Sequence, residues 1–259
     1  MRGLLSNKNV IEILLLFPFA MLPVFLGHLG GLLALVLLVL SLLLRKKLEG
    51  SFEIYSEKKL LLIFIIVYSV LAMNVLFTVF GLYRYLGWND ENCKTIIKII
   101  GLTLSLILLK VFRVSIKNFK WNMSRSQMIG TLIIGLTFTC ITLLLDGSRF
   151  IYTFNKDIVR YGFYILEIVI LVAFFEELLC RGILISALKG YQLAEWKVNI
   201  IQAFLFGILH FIKYLDKGIG IAVLSTFYQT VIGYFFGKIY LKTKTLTPGI
   251  LLHLLWDIV

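Results

Sequence analysis

The chain has 259 residues, of which 60% are hydrophobic and only 15% are charged. Its mean hydropathy of +0.95 excludes a soluble domain of this length and indicates an integral membrane protein. The formal net charge of +12 does not predict a nucleic-acid partner, because most lysines and arginines lie in short connections between apolar segments. The three cysteines, Cys93, Cys140 and Cys180, are scattered and predict no disulfide framework.

The apolar segments predict an all-α fold, a polytopic transmembrane helical bundle of about eight or nine helices, because a span needs about 20 apolar residues. Helices are expected because a backbone in lipid must satisfy its hydrogen bonds within its own segment. In chain order the predicted helices cover residues 10–27, 30–44, 60–82, 95–112, 128–145, 161–188, 197–213, 219–240 and 247–259.

The first two segments allow two interpretations. They form a hairpin that turns near residues 27–31, or one long helix kinked at Pro18 and Pro23. Glu12 and the two prolines interrupt the apolar stretch, which argues against a cleaved signal peptide. Glu12 and His28 are expected to have structural roles.

The basic residues predict the orientation of the bundle. With a cytoplasmic N-terminus, the inside connections carry more lysine and arginine than the outside ones, as the positive-inside rule requires. The clusters at 45–47 and 113–125 are expected to contact anionic lipid headgroups. The short loops and the richness in Ile, Leu, Phe and Lys favour a multi-pass protein of a bacterial plasma membrane.

The chemistry-bearing residues are concentrated in the second half of the chain. We therefore expect residues 1–150 to supply N-terminal transmembrane helices and residues 151–259 to form a catalytic core, within one integrated bundle. An ionisable side chain at membrane depth is costly, so it is a functional candidate.

Three charged residues occur together inside the sixth apolar segment. Glu177 and Arg181 are four residues apart and are predicted to pair on one helix face. Glu176 is rotated by about 100° from Glu177 and must find its partners on other helices. Glu176 is therefore a candidate base or ligand.

The following segments supply candidate partners. Phe206 and His210 share one helix face, and so do His253 and Asp257. Three apolar helices thus each carry groups suited to proton transfer or to metal ligation.

The succession Glu-Glu-x-x-x-Arg, Phe-x-x-x-His and His-x-x-x-Asp resembles the CPBP intramembrane peptidases, which include CAAX prenyl proteases and the bacterial Abi proteins of bacteriocin processing and self-immunity. The resemblance covers about residues 160–259. It implies that Glu176, His210, His253 and Asp257 form a catalytic site that Glu177, Arg181 and Phe206 support. The last motif of that family commonly ends in asparagine. An ionised Asp257 cannot donate to an oxyanion, so it is better suited to orienting His253 or holding a metal.

Two mechanisms use these residues. In the first, His210 and His253 hold Zn²⁺ with a carboxylate, Asp257 or Glu176, and Glu176 moves the proton. In the second, which needs no metal, Glu176 and His210 activate a water directly and His253 assists with the oxyanion. The His-Glu-x-x-His spacing of soluble zinc peptidases is absent, and the sequence leaves both mechanisms open.

The expected function is that of an intramembrane endopeptidase acting on a membrane-associated peptide or protein, such as a secreted-peptide precursor or leader. The alternatives are a non-catalytic membrane protein of bacteriocin self-immunity and a transporter with a Glu, His and Asp proton relay. A second copy of the charged motifs, as expected for a transporter built from repeats, is not seen in the sequence.

Overall fold

A computed structural model describes the backbone of residues 7–26, 29–82, 90–154 and 158–258, together with Tyr85 and Gly87. Over these residues the regular secondary structure is helical, with no β-strand, which confirms the all-α prediction for this part of the chain. The helices are α1 (Asn7–Met21), α2 (Gly30–Leu43), α3 (Arg45–Leu48), α4 (Leu60–Val79), α5 (Asp90–Val111), α6 (Arg125–Phe154), α7 (Ile158–Glu167), α8 (Phe175–Glu177), α9 (Ser186–Gly190), α10 (Glu195–Lys213), α11 (Ile219–Thr243) and α12 (Thr247–Ile258).

The first two helices are separate and pack against each other. α1 ends at Met21 and a 3₁₀ turn, Leu22–Leu26, follows it, so the hairpin describes the N-terminus better than one kinked helix. The two helices approach closely, since a Cβ on Gly31 would lie 3.1 Å from the carbonyl oxygen of Ala20. His28 lies outside the described residues.

Helices α7, α8 and α9 are parts of one uninterrupted helix, residues 158–190, which we call the long helix. Two stretches with π-type i→i+5 hydrogen bonding, Ile168–Phe174 and Leu178–Ile185, join the three parts. π-helical stretches are rare in proteins, and those that occur are often found at functional sites. Glu176 and Glu177 lie in the short α-helical turn between the two π-helical stretches.

Two of the described helical segments, Arg125–Leu145 and Ile219–Thr243, are long and apolar enough to cross a membrane by length and composition. The apolar helices at Asn9–Val24, Gly30–Leu43 and Leu60–Met73 are shorter. On α6 the outward-facing Leu132, Leu136 and Leu144 are exposed, which suits contact with lipid.

Buried apolar side chains form two core clusters, and each cluster contains residues from both halves of the chain. In one, residues of α4 such as Leu60 and Ile63 pack with Leu178 of the long helix. In the other, residues of α2 such as Leu38 pack with Phe236 of α11. The first cluster packs around the long helix, which carries Glu176, and the second contains Leu252 of α12, the helix that carries His253.

The turn between α11 and α12 is held by residues from the first half of the chain. Leu246 N–H and the Thr245 hydroxyl both donate to the carbonyl of Lys120, at 2.9 and 2.8 Å. Gln127 Nε2 donates to the carbonyl of Thr243 at 2.8 Å. These bonds satisfy the end of α11 and fix the point where α12 begins.

Candidate active site

The predicted ion pair within the long helix is formed. Arg181 NH1 lies 2.8 Å from Glu177 Oε1, and both side chains are 0% exposed. A buried charge is tolerated only when it is paired and hydrogen-bonded. The i,i+4 spacing meets the first requirement within a single helix.

Aromatic rings enclose the guanidinium group of Arg181. Its central carbon lies 4.9 Å from the ring centroid of Phe206 and 5.4 Å from that of Phe236. Arg181 NH2 donates to the carbonyl of Gly233 at 3.1 Å. Cation–π attraction and hydrogen bonding together hold the charge in one orientation.

Glu177 also contacts α12. Its Oε1 lies 2.9 Å from Nδ1 of His253, which is only 4% exposed. Because Arg181 donates to the same Glu177 oxygen, this oxygen is an acceptor, and the contact fits an N–H on Nδ1 of His253. The His253 ring stacks on Phe236, with centroids 4.8 Å apart, so its rotation is also restricted.

The other nitrogen of His253 faces two further carboxylates. Nε2 lies 3.8 Å from Glu176 Oε2 and 3.7 Å from Asp257 Oδ2. These carboxylates are partly exposed, at 25% and 28% of the side chain. One side of the imidazole is therefore fixed in the protein interior, and the other faces groups that solvent reaches.

His210 lies further along α10. Its Nδ1 is 3.0 Å from the carbonyl of Phe206, which fits an N–H donor on Nδ1. The His210 ring packs on Phe206 at 4.9 Å, and Phe206 contacts the His253 ring edge-on at 6.3 Å. The structure thus brings Glu176, His253 and Asp257 together directly, and it connects His210 to them through Phe206.

A close approach at the start of α12 keeps Glu177 in place. A Cβ on Gly249 would lie 2.7 Å from Glu177 Oε2, a distance that real Cβ atoms do not adopt. Glycine is therefore required where α12 passes the carboxylate. The first turn of α12 also presents the positive end of its helix dipole to Glu177.

The sequence interpretation did not include two buried amides that adjoin the site. Gln202 Nε2 donates to the carbonyl of Gly233 at 2.8 Å, and Asn199 Nδ2 donates to that of Tyr234 at 3.1 Å. The sequence signal is the Gly-x-x-x-Gly spacing of Gly233 and Gly237, which allows two membrane helices to approach closely.

The arrangement of the described side chains gives no support to a metal site. Among the residues that the structure describes, no group of three or more His, Cys, Asp or Glu side chains is arranged to hold a metal ion. Because His253 Nδ1 is bonded to Glu177, only Nε2 of this ring remains for other contacts. We therefore derive no step through Zn²⁺.

The end of the chain that carries the site is similar to a known protein family. Residues 158–259 match the family described as Type II CAAX prenyl endopeptidase Rce1-like. The chain shows no match among curated proteins or solved structures. This match supports the interpretation that the protein is a peptide hydrolase of the CAAX protease type, with a peptide or protein substrate at the membrane. The matched segment contains all the motifs described above, and the match supports a CPBP/CAAX protease family assignment for residues 158–259.

Proposed function

We propose that this protein is an intramembrane endopeptidase that hydrolyses a peptide bond in a membrane-associated peptide or protein. The observation that carries the proposal is the environment of His253. Glu177 holds its Nδ1 at 2.9 Å, and its Nε2 faces Glu176 and Asp257 within a segment that matches an endopeptidase family.

In this mechanism Glu176 is the base that activates the attacking water. Its side chain is partly exposed, so water reaches it, and it lies 3.8 Å from His253. A carboxylate placed next to the attacking water can take its proton as the oxygen attacks the carbonyl carbon. His210 assists from α10, where its Nε2 carries the lone pair that can take a proton if Nδ1 donates to the Phe206 carbonyl.

His253 is the second proton carrier. With a proton on Nδ1, the neutral ring accepts at Nε2 the proton that Glu176 took from the water, and Glu177 stabilises the resulting imidazolium. The protonated Nε2 then donates to the oxyanion or to the leaving amine. Asp257 lies on the same side as Glu176 and orients this Nε2–H.

We further propose a multi-pass protein of a bacterial plasma membrane, built from about eight or nine helices that span or enter the bilayer. The two long apolar helices and the shorter apolar ones support this arrangement. The substrate we favour is a secreted-peptide precursor or its leader, because such a peptide meets the membrane before export.

The test compares cells that express the wild type, Glu176→Gln or Glu57→Gln at matched levels. Mass spectrometry of peptides and new protein N-termini is the readout. Glu57 is a matched control, since its side chain is 36% exposed and lies away from the site. We expect specific cleavage products with the wild type and with Glu57→Gln, and at least a hundredfold loss with Glu176→Gln.

Two results would count against the proposal. One is an identical set of products in all three strains while each protein is folded in the membrane. The other is loss of the products in Glu57→Gln as well, which would show that the effect is not specific to Glu176.

A further inference from the structure

A pair of buried amides connects α10 to α11 beside the candidate site. Gln202 is 0% exposed, and its Nε2 donates to the carbonyl of Gly233 and to Asn199 Oδ1, both at 2.8 Å. Asn199 in turn donates to the carbonyl of Tyr234 at 3.1 Å. Buried amides in an apolar helix pair are costly unless they are hydrogen-bonded, so this contact fixes the two helices in one register.

The carbonyl of Gly233 accepts from two side chains on different helices. Gln202 reaches it from α10, and Arg181 reaches it from the long helix with NH2 at 3.1 Å. Because Gly233 lies inside α11, its carbonyl also faces the N–H four residues later, and the two side-chain donors crowd the same oxygen. The direction from which the Arg181 guanidinium approaches this oxygen therefore depends on where the Gln202 amide lies.

A continuous series of contacts leads from this carbonyl to His253. Arg181 NH1 bonds Glu177 Oε1 at 2.8 Å, and the same oxygen holds His253 Nδ1 at 2.9 Å. Phe206, one turn after Gln202 on α10, covers the guanidinium face. Gln202 thus acts on Arg181 through the Gly233 carbonyl and through the placement of Phe206.

We infer that Gln202 is a positioning residue that sets the orientation of His253 through Gly233, Arg181 and Glu177. Gln202 itself touches none of the groups proposed to react. Removing its donor opens the space that the Gln202 amide occupies beside the Gly233 oxygen, so the Arg181 fork and the Glu177 carboxylate shift together. The catalytic consequence rests on the proposed function, whereas the effect on the His253 ring does not.

The first test measures the ¹⁵N NMR signals of the His253 ring. The chain has only three histidines, so selective ¹⁵N-histidine labelling of the full-length protein in detergent micelles gives few ring signals, and His253→Gln identifies its own. In Gln202→Met, which keeps the side-chain length without a donor, the His253 Nδ1 resonance should move or broaden. The control is Tyr68→Phe, which removes another hydrogen bond to α10, from the Tyr68 hydroxyl to the carbonyl of Leu205 at 2.9 Å. This control should leave the His253 resonance in place.

The second test measures cleavage of a synthetic peptide that carries the sequence identified in the Glu176→Gln comparison. Gln202→Met should lower kcat about tenfold to a hundredfold, with KM changed less than about threefold, because a small misplacement of reacting groups acts on the chemical step. Tyr68→Phe should change kcat by less than about threefold.

An unchanged His253 resonance in folded Gln202→Met would overturn the inference, and so would an equal shift in Tyr68→Phe. If Gln202→Met does not fold, Gln202→Asn replaces it, because the shorter amide stays polar but no longer spans the gap to Gly233. A wild type that cleaves no peptide would overturn the proposed function, and the ring resonances would still decide whether Gln202 positions His253.

Discussion

Glu177 connects the two halves of the site, because one of its oxygens accepts from both Arg181 and His253. The pairing with Arg181 follows from the i,i+4 spacing and was predicted. The contact with His253 joins residues far apart in the chain, and local periodicity carries no information about it. The sequence interpretation gave Glu177 a supporting role, and the structure adds that it is the direct partner of the histidine.

At the scale of single residues, we predict that Arg181→Met strongly lowers the free energy of unfolding. The substitution leaves Glu177 buried with its charge uncompensated, and breaking such a pair costs about 3–5 kcal/mol. The double variant Glu177→Met/Arg181→Met should be more stable than Arg181→Met, because it removes both charges. The measurement is the free energy of unfolding in mixed detergent micelles.

An exposed pair provides the control for this prediction. Glu195 and Lys244 lie 3.1 Å apart with side chains 49% and 22% exposed. Glu195→Gln should cost no more than about 1 kcal/mol, because solvent screens the pair. If Arg181→Met and Glu195→Gln lowered the free energy of unfolding equally, the buried Glu177 would not depend on Arg181 for its stability.

Two helices of the bundle, α10 and α11, approach each other through small residues. A Cβ on Gly233 would lie 3.2 Å from the Cα of Ala203, and one on Gly237 would overlap the amides of Asn199 and Gln202. In lipid, helix association depends on close packing and interhelical hydrogen bonds, and glycine allows both. The amide contacts that reach Arg181 therefore depend on the glycines of α11.

At the scale of this element pair we predict that Gly237→Ala destabilises the protein by about 1–3 kcal/mol through overpacking. Gly220 is a control on the same helix, since a Cβ there meets nothing within 4 Å. Gly220→Ala should be neutral or stabilise by up to about 1 kcal/mol, because alanine favours the helix.

The measurement is thermal unfolding of the purified variants in one detergent. Equal melting temperatures for Gly237→Ala and Gly220→Ala would contradict the close α10–α11 contact. Gly237→Ala should also weaken peptide cleavage, because the displaced amides lie next to the carbonyl that holds Arg181.

Among the described residues, helices of the first half of the chain pack against helices of the second half, as α2 does against α11 and α4 against α10. The predicted boundary between residues 150 and 151 falls inside α6, which continues to Phe154. Lys120 and Gln127 hold the turn that starts α12, and α12 carries His253. Both core clusters also contain residues from each half.

We therefore predict that residues 158–259, produced alone, do not form a stable site even though they contain every catalytic candidate. Without residues 1–157, the turn after α11 loses the carbonyl and amide that satisfy its buried backbone groups. Limited proteolysis of membranes should show rapid digestion of this fragment.

Co-production of residues 1–157 as a separate chain should restore protease resistance, because the missing contacts are then supplied by the second piece. A fragment that resists proteolysis as well as the full-length protein would contradict the prediction.

The sequence by itself determined the helical class, the positions of most helices to within a few residues, the Glu177–Arg181 pair and the residue types of the candidate site, whereas α6 continues to Phe154, beyond the predicted end at residue 145. Hydrophobic periodicity, composition and i,i+4 spacing are local properties, and they are readable along the chain. Only the tertiary structure decided that His253 bonds Glu177, that His210 reaches the cluster through Phe206, and that Gln202 and Arg181 share one carbonyl. These contacts join different helices, and their geometry depends on how closely glycine and alanine allow the helices to pack.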